Sequence, residues 1–116
     1  ADILLPATSP WEREALRPGF EIAPEAEEWI QLRPAMVAPV GQSRSDMQIV
    51  FDLAVRLGLG GRFFGGSLAA AWHHQLAPLG VTVEELRRSP EGVRRPLAQS
   101  SQAPLVPGDQ LFAPGM

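Results

Sequence analysis

The chain contains no cysteine and no tyrosine. Without cysteine, disulfides, thiolate metal sites and a cysteine nucleophile are all excluded within these residues, while the compartment stays open. No apolar run approaches the ~20 residues that span a bilayer, so no membrane span is expected, and the start carries no signal-peptide pattern. Strong charge of either sign is missing too. Ten basic residues stand against 13 acidic ones, for a formal charge of −3, which leaves no electrostatic footprint for nucleic acid or an anionic membrane. There is no H-E-x-x-H pattern, no glycine-flanked serine on a strand-to-helix elbow, and no local grouping of serine, histidine and acid as a triad. Taken alone, the residues assemble no catalytic site and no metal site. What is present is a 116-residue chain that is 45% hydrophobic, enough for one domain with a modest core. Twelve prolines and 11 glycines predict that much of it is loop.

The clearest element lies between Gly41 and Gly58. Ser45 with Gln48 three residues on is a capping-box pair. Met47, Val50, Phe51, Ala54 and Leu57 share one helical face, which Ile49 and Leu53 widen, so this helix is expected to be buried over much of its girth. Asp52 and Arg56 are spaced as an i, i+4 pair on the polar stripe, and Gly58 is a left-handed stop onto which Leu59 folds back. Ala1–Leu5 reads as a short buried strand ended by Pro6. Thr8 or Ser9 caps a helical turn with Pro10 at its first position, closed by Pro18 and Gly19. The acidic residues Glu21, Glu25, Glu27 and Glu28 read as a solvated face, since their spacing does not match a calcium loop. Trp29–Arg33 is a second extended piece, and Met36–Val37 continue extended to Pro39.

After the central helix comes GLGGRFFGG. It is not a phosphate loop, because Gly66 stands where the lysine belongs and a helix, not a strand, precedes it. It reads as a connector anchored by Phe63 and Phe64. Ser67 caps a helix over Leu68–Leu76 with Leu68, Ala71, Trp72 and Leu76 on its apolar face. His73 and His74 diverge by ~100° on that helix and read as surface or rim histidines, not ligands. Thr82–Arg88 is a third helix, with Thr82 and Glu85 as capping box and Val81 with Leu86 as hydrophobic staple. Leu97–Met116 has the composition of a linker, although Leu105, Leu111 and Phe112 could dock on a partner. The strand-like start and the loose Pro, Gly, Ser and Gln-rich end together predict an excised piece of a longer protein.

Two polar spots carry the functional question. Glu12 and Arg13 lie after the carboxyl end of the first strand, where open α/β sheets bind ligands. Asp46 sits at a helix N-terminus, where a carboxylate serves as cap or dipole partner or accepts two hydrogen bonds from one planar edge, such as the N1–H and exocyclic amine of guanine.

The residues that carry these spots resemble a known family. ADILLPATSPWERE is similar to the segment A-D-[ILV]-[ILV]-L-P-x-x-x-x-x-E-[KR] of the molybdopterin-dependent oxidoreductases, the dimethyl sulfoxide reductase family of anaerobic dehydrogenases and reductases. QLRPAMVAPVGQSRSDMQIVFDLAVRLGLG resembles the family's next segment, which is an extended stretch, a P-G-E-A-[RK]-x-D-like turn and a helix ending in x-L-G. LAPLGVTVEELRRSPEGVRRPL and, loosely, GDQLFAPGM resemble the approach to the family's C-terminal domain. The resemblance implies a mainly helical α/β fragment, the end of a Rossmann-like domain with one or two short strands, three main helices and a long irregular tail. Residues 1–97 would be the C-terminal part of the third domain and 98–116 the linker to the fourth.

The implied parent is a redox enzyme, cytoplasmic or periplasmic and of bacterial or archaeal type. Its cofactor would be two molybdopterin guanine dinucleotides holding molybdenum or tungsten, with an iron–sulfur cluster elsewhere in the parent. The metal's protein ligand would lie upstream, so the fragment would be inactive alone. In the family, positions matching Arg13 and Asp46 contact a guanine nucleotide end of the cofactor, with Glu12 a structural partner beside them. Two departures stand out: ALRPGFEIAPEAEEW replaces a stretch containing N-x-E-x-R, and the turn reads VGQSRSD with its proline one place early at Pro39. The remainder of the parent would be the partner, and the isolated fragment would self-associate through the Ala1–Leu5 edge and the faces of Trp29, Phe51 and Trp72. The alternative is a small stand-alone helical interaction module.

Overall fold

The structure, a computed structural model, describes residues 1–19 and 24–96. Trp29–Arg33 (β2) is the centre of a three-stranded antiparallel sheet. Ala15–Pro18 (β1) lies on one side, with Leu16 opposite Leu32 and Pro18 opposite Ile30. Val93–Arg94 (β3) lies on the other, with Val93 opposite Ile30. The two-residue period of β2 sends Ile30 and Leu32 to one face, and both are buried there. A one-turn helix, Pro24–Glu27 (α1), precedes β2. Three longer helices come after it: Asp46–Arg56 (α2), Leu68–Leu76 (α3) and Val83–Arg88 (α4). The described chain is therefore α/β with three main helices, as expected, but with three strands where one or two were predicted.

The core lies between the sheet and the last two helices. Ile30 and Leu32 pack with Leu76 from α3 and with Val81, Val83 and Leu86 at α4, while Leu16, Trp72 and Val93 close the margin. The staple at α4 forms as the sequence predicts, with Val81 and Leu86 both buried. Thr82 Oγ1 accepts from Glu85 N–H. The Glu85 carboxylate turns to Arg95 instead of completing the box. A smaller cluster forms where buried Phe51 and Ala54 of α2 meet Phe63, whose ring stands edge-on to Phe51 at 5.4 Å. The glycine-rich connector is two short 3-10 turns, Gly60–Arg62 and Phe64–Gly66. Phe63 anchors it to α2, and Phe64 rests against His74.

Three sequence expectations are corrected. Ala1–Leu5 is neither a strand nor buried: Ile3, Leu4 and Leu5 are exposed, and the one backbone pairing nearby is an isolated parallel bridge between Ala7 and Arg44. A strand needs a neighbour to satisfy its ladder, and the described residues supply none there. Second, α2 is not buried over most of its girth. Only Phe51 and Ala54 are inside, and Met47, Val50, Leu53, Val55 and Leu57 are exposed. Third, Asp52 takes its hydrogen bonds from Arg44 and Gln48, and Arg56 acts on it through charge alone. Of the faces expected to drive self-association, Trp29 is exposed, Phe51 is internal and Trp72 packs against the core.

Of the two acidic residues in this stretch whose side chains are described, Glu27 is exposed as expected and Glu28 is not. Glu28 holds Arg94 at 2.6 Å and its side chain is only 21% exposed, which clips α1 to β3 across the end of β2. The strands of the described sheet are all antiparallel. Glu21 and the linker expected over 98–116, with Leu105, Leu111 and Phe112, lie outside the described residues.

Candidate functional site

Glu12 builds the site. Ser9 precedes a 3-10 turn, Pro10–Glu12, with proline at its first position, where the missing N–H costs nothing. One Glu12 carboxylate oxygen accepts from Ser9 N–H at 2.6 Å and the other from Val40 N–H at 2.9 Å. Trp11 C=O accepts from Met36 and Val37 N–H, and Pro6 C=O accepts from Arg44 N–H. The loop leading into α2 is thereby strapped along the N-terminal turn. The backbone donors at Ser9 and then Val40 hold the Glu12 carboxyl below the ordinary glutamate value.

A carboxylate with a depressed folded-state pKa stabilises the fold above its unfolded pKa and loses that contribution as pH falls through the folded value. Glu12→Gln is therefore expected to lose less stability than the parent chain between neutral pH and pH values below the glutamate range. Urea midpoints at the two pH values check this, and an unchanged acid sensitivity would show that the strap does not depend on the charge.

The strap sets the first residue of α2 beside the residue after Glu12. Arg13 Nη1 lies 3.6 Å from Asp46 Oδ2. The two residues are 33 apart in sequence, and the fold brings all three sequence-predicted positions, Glu12, Arg13 and Asp46, to one place. At 3.6 Å the pair is a long ionic contact, beyond hydrogen-bond range. The Asp46 side chain is 73% exposed, so both its oxygens stay open to outside donors.

Next to this pair is a cleft of about 390 Å³ lined by Arg13, Glu14, Ser45, Gln48, Ser67, Leu68, Ala69, Trp72 and Arg87. Two helices begin on it. Ser45 Oγ caps α2 by accepting from Gln48 N–H, and Ser67 Oγ caps α3 by accepting from Ala70 N–H. Each helix turns its positive end toward the cleft, and Arg13 and Arg87 on its wall are matched by Asp46 and Glu14. Gln48 does not complete the expected box; its amide donates to Asp52 and to Gly66 C=O, tying the two helix starts together. Asp52 is held below the ordinary aspartate value, first by that Gln48 bond. On the far wall, Arg87 grips Glu14 with two hydrogen bonds, at 3.1 and 2.9 Å, and is held in its charged form by it.

The residues that the sequence analysis missed are Gln48 as a helix-to-helix tie, Ser67, Trp72 and the Glu14–Arg87 pair as walls. Gln48 and Glu14 lie beside Asp46 and Arg13 in sequence, but their partners Gly66 and Arg87, like Ser67 and Trp72, come from distant elements, so no local spacing signals these roles. His73 bridges to Glu84 of α4 at 3.5 Å, while His74 meets Phe64. Among the described residues no group of three histidine, aspartate or glutamate side chains gathers as a metal set, and no helix is long and apolar enough to cross a membrane.

Comparison with protein-family models, with characterised proteins and with solved structures finds no match to this chain.

Proposed function

We propose that this chain is part of a molybdopterin-dependent oxidoreductase and that the cleft beside Arg13 and Asp46 receives the guanine nucleotide end of the cofactor. The observation that carries this reading is the 3.6 Å approach of Arg13 to Asp46 at a cleft on which two helices begin. The donor set fits the group. A guanine edge offers two adjacent N–H donors, and an exposed carboxylate accepts both. A phosphate favours the helix starts and a guanidinium. Asp46 would select the base, Arg13 would neutralise phosphate charge, and Glu12 would hold the two in register through Ser9 and Val40.

The chemistry at the metal, two-electron transfer, would belong to residues outside this chain. Its role would be to bind and orient. The parent would contain a Rossmann-like domain, to which the small antiparallel sheet would be an appendage.

The test is nucleotide binding by the 116-residue chain, read by calorimetry or by chemical-shift changes. GMP is expected to bind more tightly than AMP, because adenine cannot offer the paired donors. A charged hydrogen bond is worth ~1.5–3 kcal/mol, so Asp46→Ala should weaken GMP by at least roughly tenfold and abolish the preference. Arg13→Ala should weaken both nucleotides alike. Equal binding of GMP and AMP, or a preference that survives Asp46→Ala, would rule out the assignment.

A further inference from the structure

α2 presents an exposed apolar face at Val50, Leu53 and Leu57. Asp46, Val50, Leu53 and Leu57 are separated by steps of four, three and four residues, the spacing of a helix-packing seam. All four are exposed, Val50 at 49%, Leu53 at 44% and Leu57 at 74%, and the Asp46 side chain at 73%. The neighbouring side of the same helix, about 100° round, is occupied, because Phe51 and Ala54 are buried there and Phe51 meets the connector's Phe63. A groove of about 320 Å³ runs alongside, where Leu4, Leu5, Ile49 and Leu53 share the lining with the charged Arg44, Asp52 and Arg56.

We infer that this seam is an interface for a second copy of the chain, with the two α2 helices packed antiparallel about a two-fold axis between Val50 and Leu53. The register comes from the residue numbers. Antiparallel apposition sets Val50 against the other copy's Leu53, and Asp46 against its Leu57. The charges agree with that direction. Asp46 is the first residue of α2 and Arg56 the last, so each copy's acid meets the other's basic end, and the two helix dipoles oppose. Parallel packing would put acid on acid and base on base. An isologous contact of this kind closes after two copies and leaves no open surface to propagate. Helices of this length bury area at or below the low end of specific interfaces, on the order of 1,200 Å², so the dimer forms with rising concentration and is not obligate. Val50, Leu53 and Leu57 offer this face whether or not the neighbouring cleft takes a nucleotide, while Asp46 would be shared between the two.

Sedimentation velocity on the 116-residue chain, from micromolar to millimolar, tests it. The expected result is a shift from monomer to dimer that Leu53→Glu removes with the helical circular dichroism intact. Should Leu53→Glu also lose helix, Leu57→Glu, beyond the last helical residue, replaces it. Arg56→Asp is expected to weaken the dimer roughly tenfold through the two symmetry-related charge pairs, and Asp46→Arg combined with Arg56→Asp is expected to restore it. A monomer at every concentration, assemblies that grow past two copies, or a dimer that persists when both Leu53 and Leu57 are glutamate would each overturn the inference. A dimer strengthened by Arg56→Asp would overturn the antiparallel arrangement.

Discussion

Leu76→Ala is expected to lower the unfolding free energy by about 2–5 kcal/mol, the range for emptying a fully buried leucine site. Leu76 is the last residue of α3 and is completely inaccessible, as is Val83. It touches the one cluster in which the sheet and both C-terminal helices share a core: Ile30, Leu32, Val81, Val83 and Leu86. That cluster has six buried members, so a single cavity there removes a large share of the apolar burial that holds α3 and α4 to β2. Single domains are stable by only ~5–15 kcal/mol in total, and the variant is expected to be partly unfolded at 37 °C. Leu57→Ala provides the contrast. Its side chain is 74% exposed, so the expected change is within about 0.5 kcal/mol, measured below the concentrations at which copies associate. Urea titration monitored by circular dichroism reads both. A loss under 1 kcal/mol at Leu76 would show that the described core is not what holds these elements together.

The contrast between those two leucines also marks how far the chain could be read from its residues. The helices were legible because their ends are written in local chemistry. Ser45, Ser67 and Thr82 each cap the helix expected of them. Gly58, at φ +79°, closes α2 with Gly58 N–H on Val55 C=O and Leu59 N–H on Ala54 C=O, the left-handed stop that its position predicts. Periodicity gives a face, however, and does not say whether anything covers it. Val50, Leu53 and Leu57 have the spacing of a buried stripe and are nonetheless exposed. β1 was illegible for a different reason. Ala15–Pro18 carries an arginine and a proline and has no apolar alternation; it is a strand only because β2 offers it a partner.

The candidate site divides in the same way. Asp46 announces itself at the start of a helix, and Glu12 and Arg13 lie at the end of a recognisable turn. That they meet is a consequence of Glu12 reaching Val40, 28 residues away. Trp72, Ser67 and the Glu14–Arg87 pair are brought to the cleft by packing of α3 and α4. None of those distances is encoded in a short window, so the walls of the cleft could be found only in three dimensions.

Gly92→Ala is expected to detach β3 and cost more than the same change at any open glycine. Gly92 sits between the turn after α4 and the first residue of β3, with φ +96° and its N–H donated to Ser89 C=O. Two costs add there. An L residue held in that region of φ is strained by roughly 1–3 kcal/mol. A β-carbon would also stand 2.8 Å from Gln31 Cγ, 3.0 Å from the backbone oxygen of Ile30 and 3.4 Å from Trp29 Cε3. The Gln31 side chain can swing away, at the loss of its bond to Glu91 C=O. The Ile30 oxygen belongs to the central strand and cannot. Relief must come from β3 moving off β2, which opens the Val93–Ile30 and Arg94–Trp29 pairing and pulls Arg95 N–H from Glu28 C=O. Gly58→Ala is the matched control. It has a similar positive φ of +79° but nothing within 4 Å of the new carbon, so it bears the conformational cost alone, ~1–2 kcal/mol. Amide hydrogen exchange at Arg95, together with urea midpoints for both variants, separates the two costs. Gly92→Ala should deprotect the Arg95 amide and lose clearly more stability than Gly58→Ala. Equal losses with Arg95 still protected would mean that β3 yields without cost and is not held by β2.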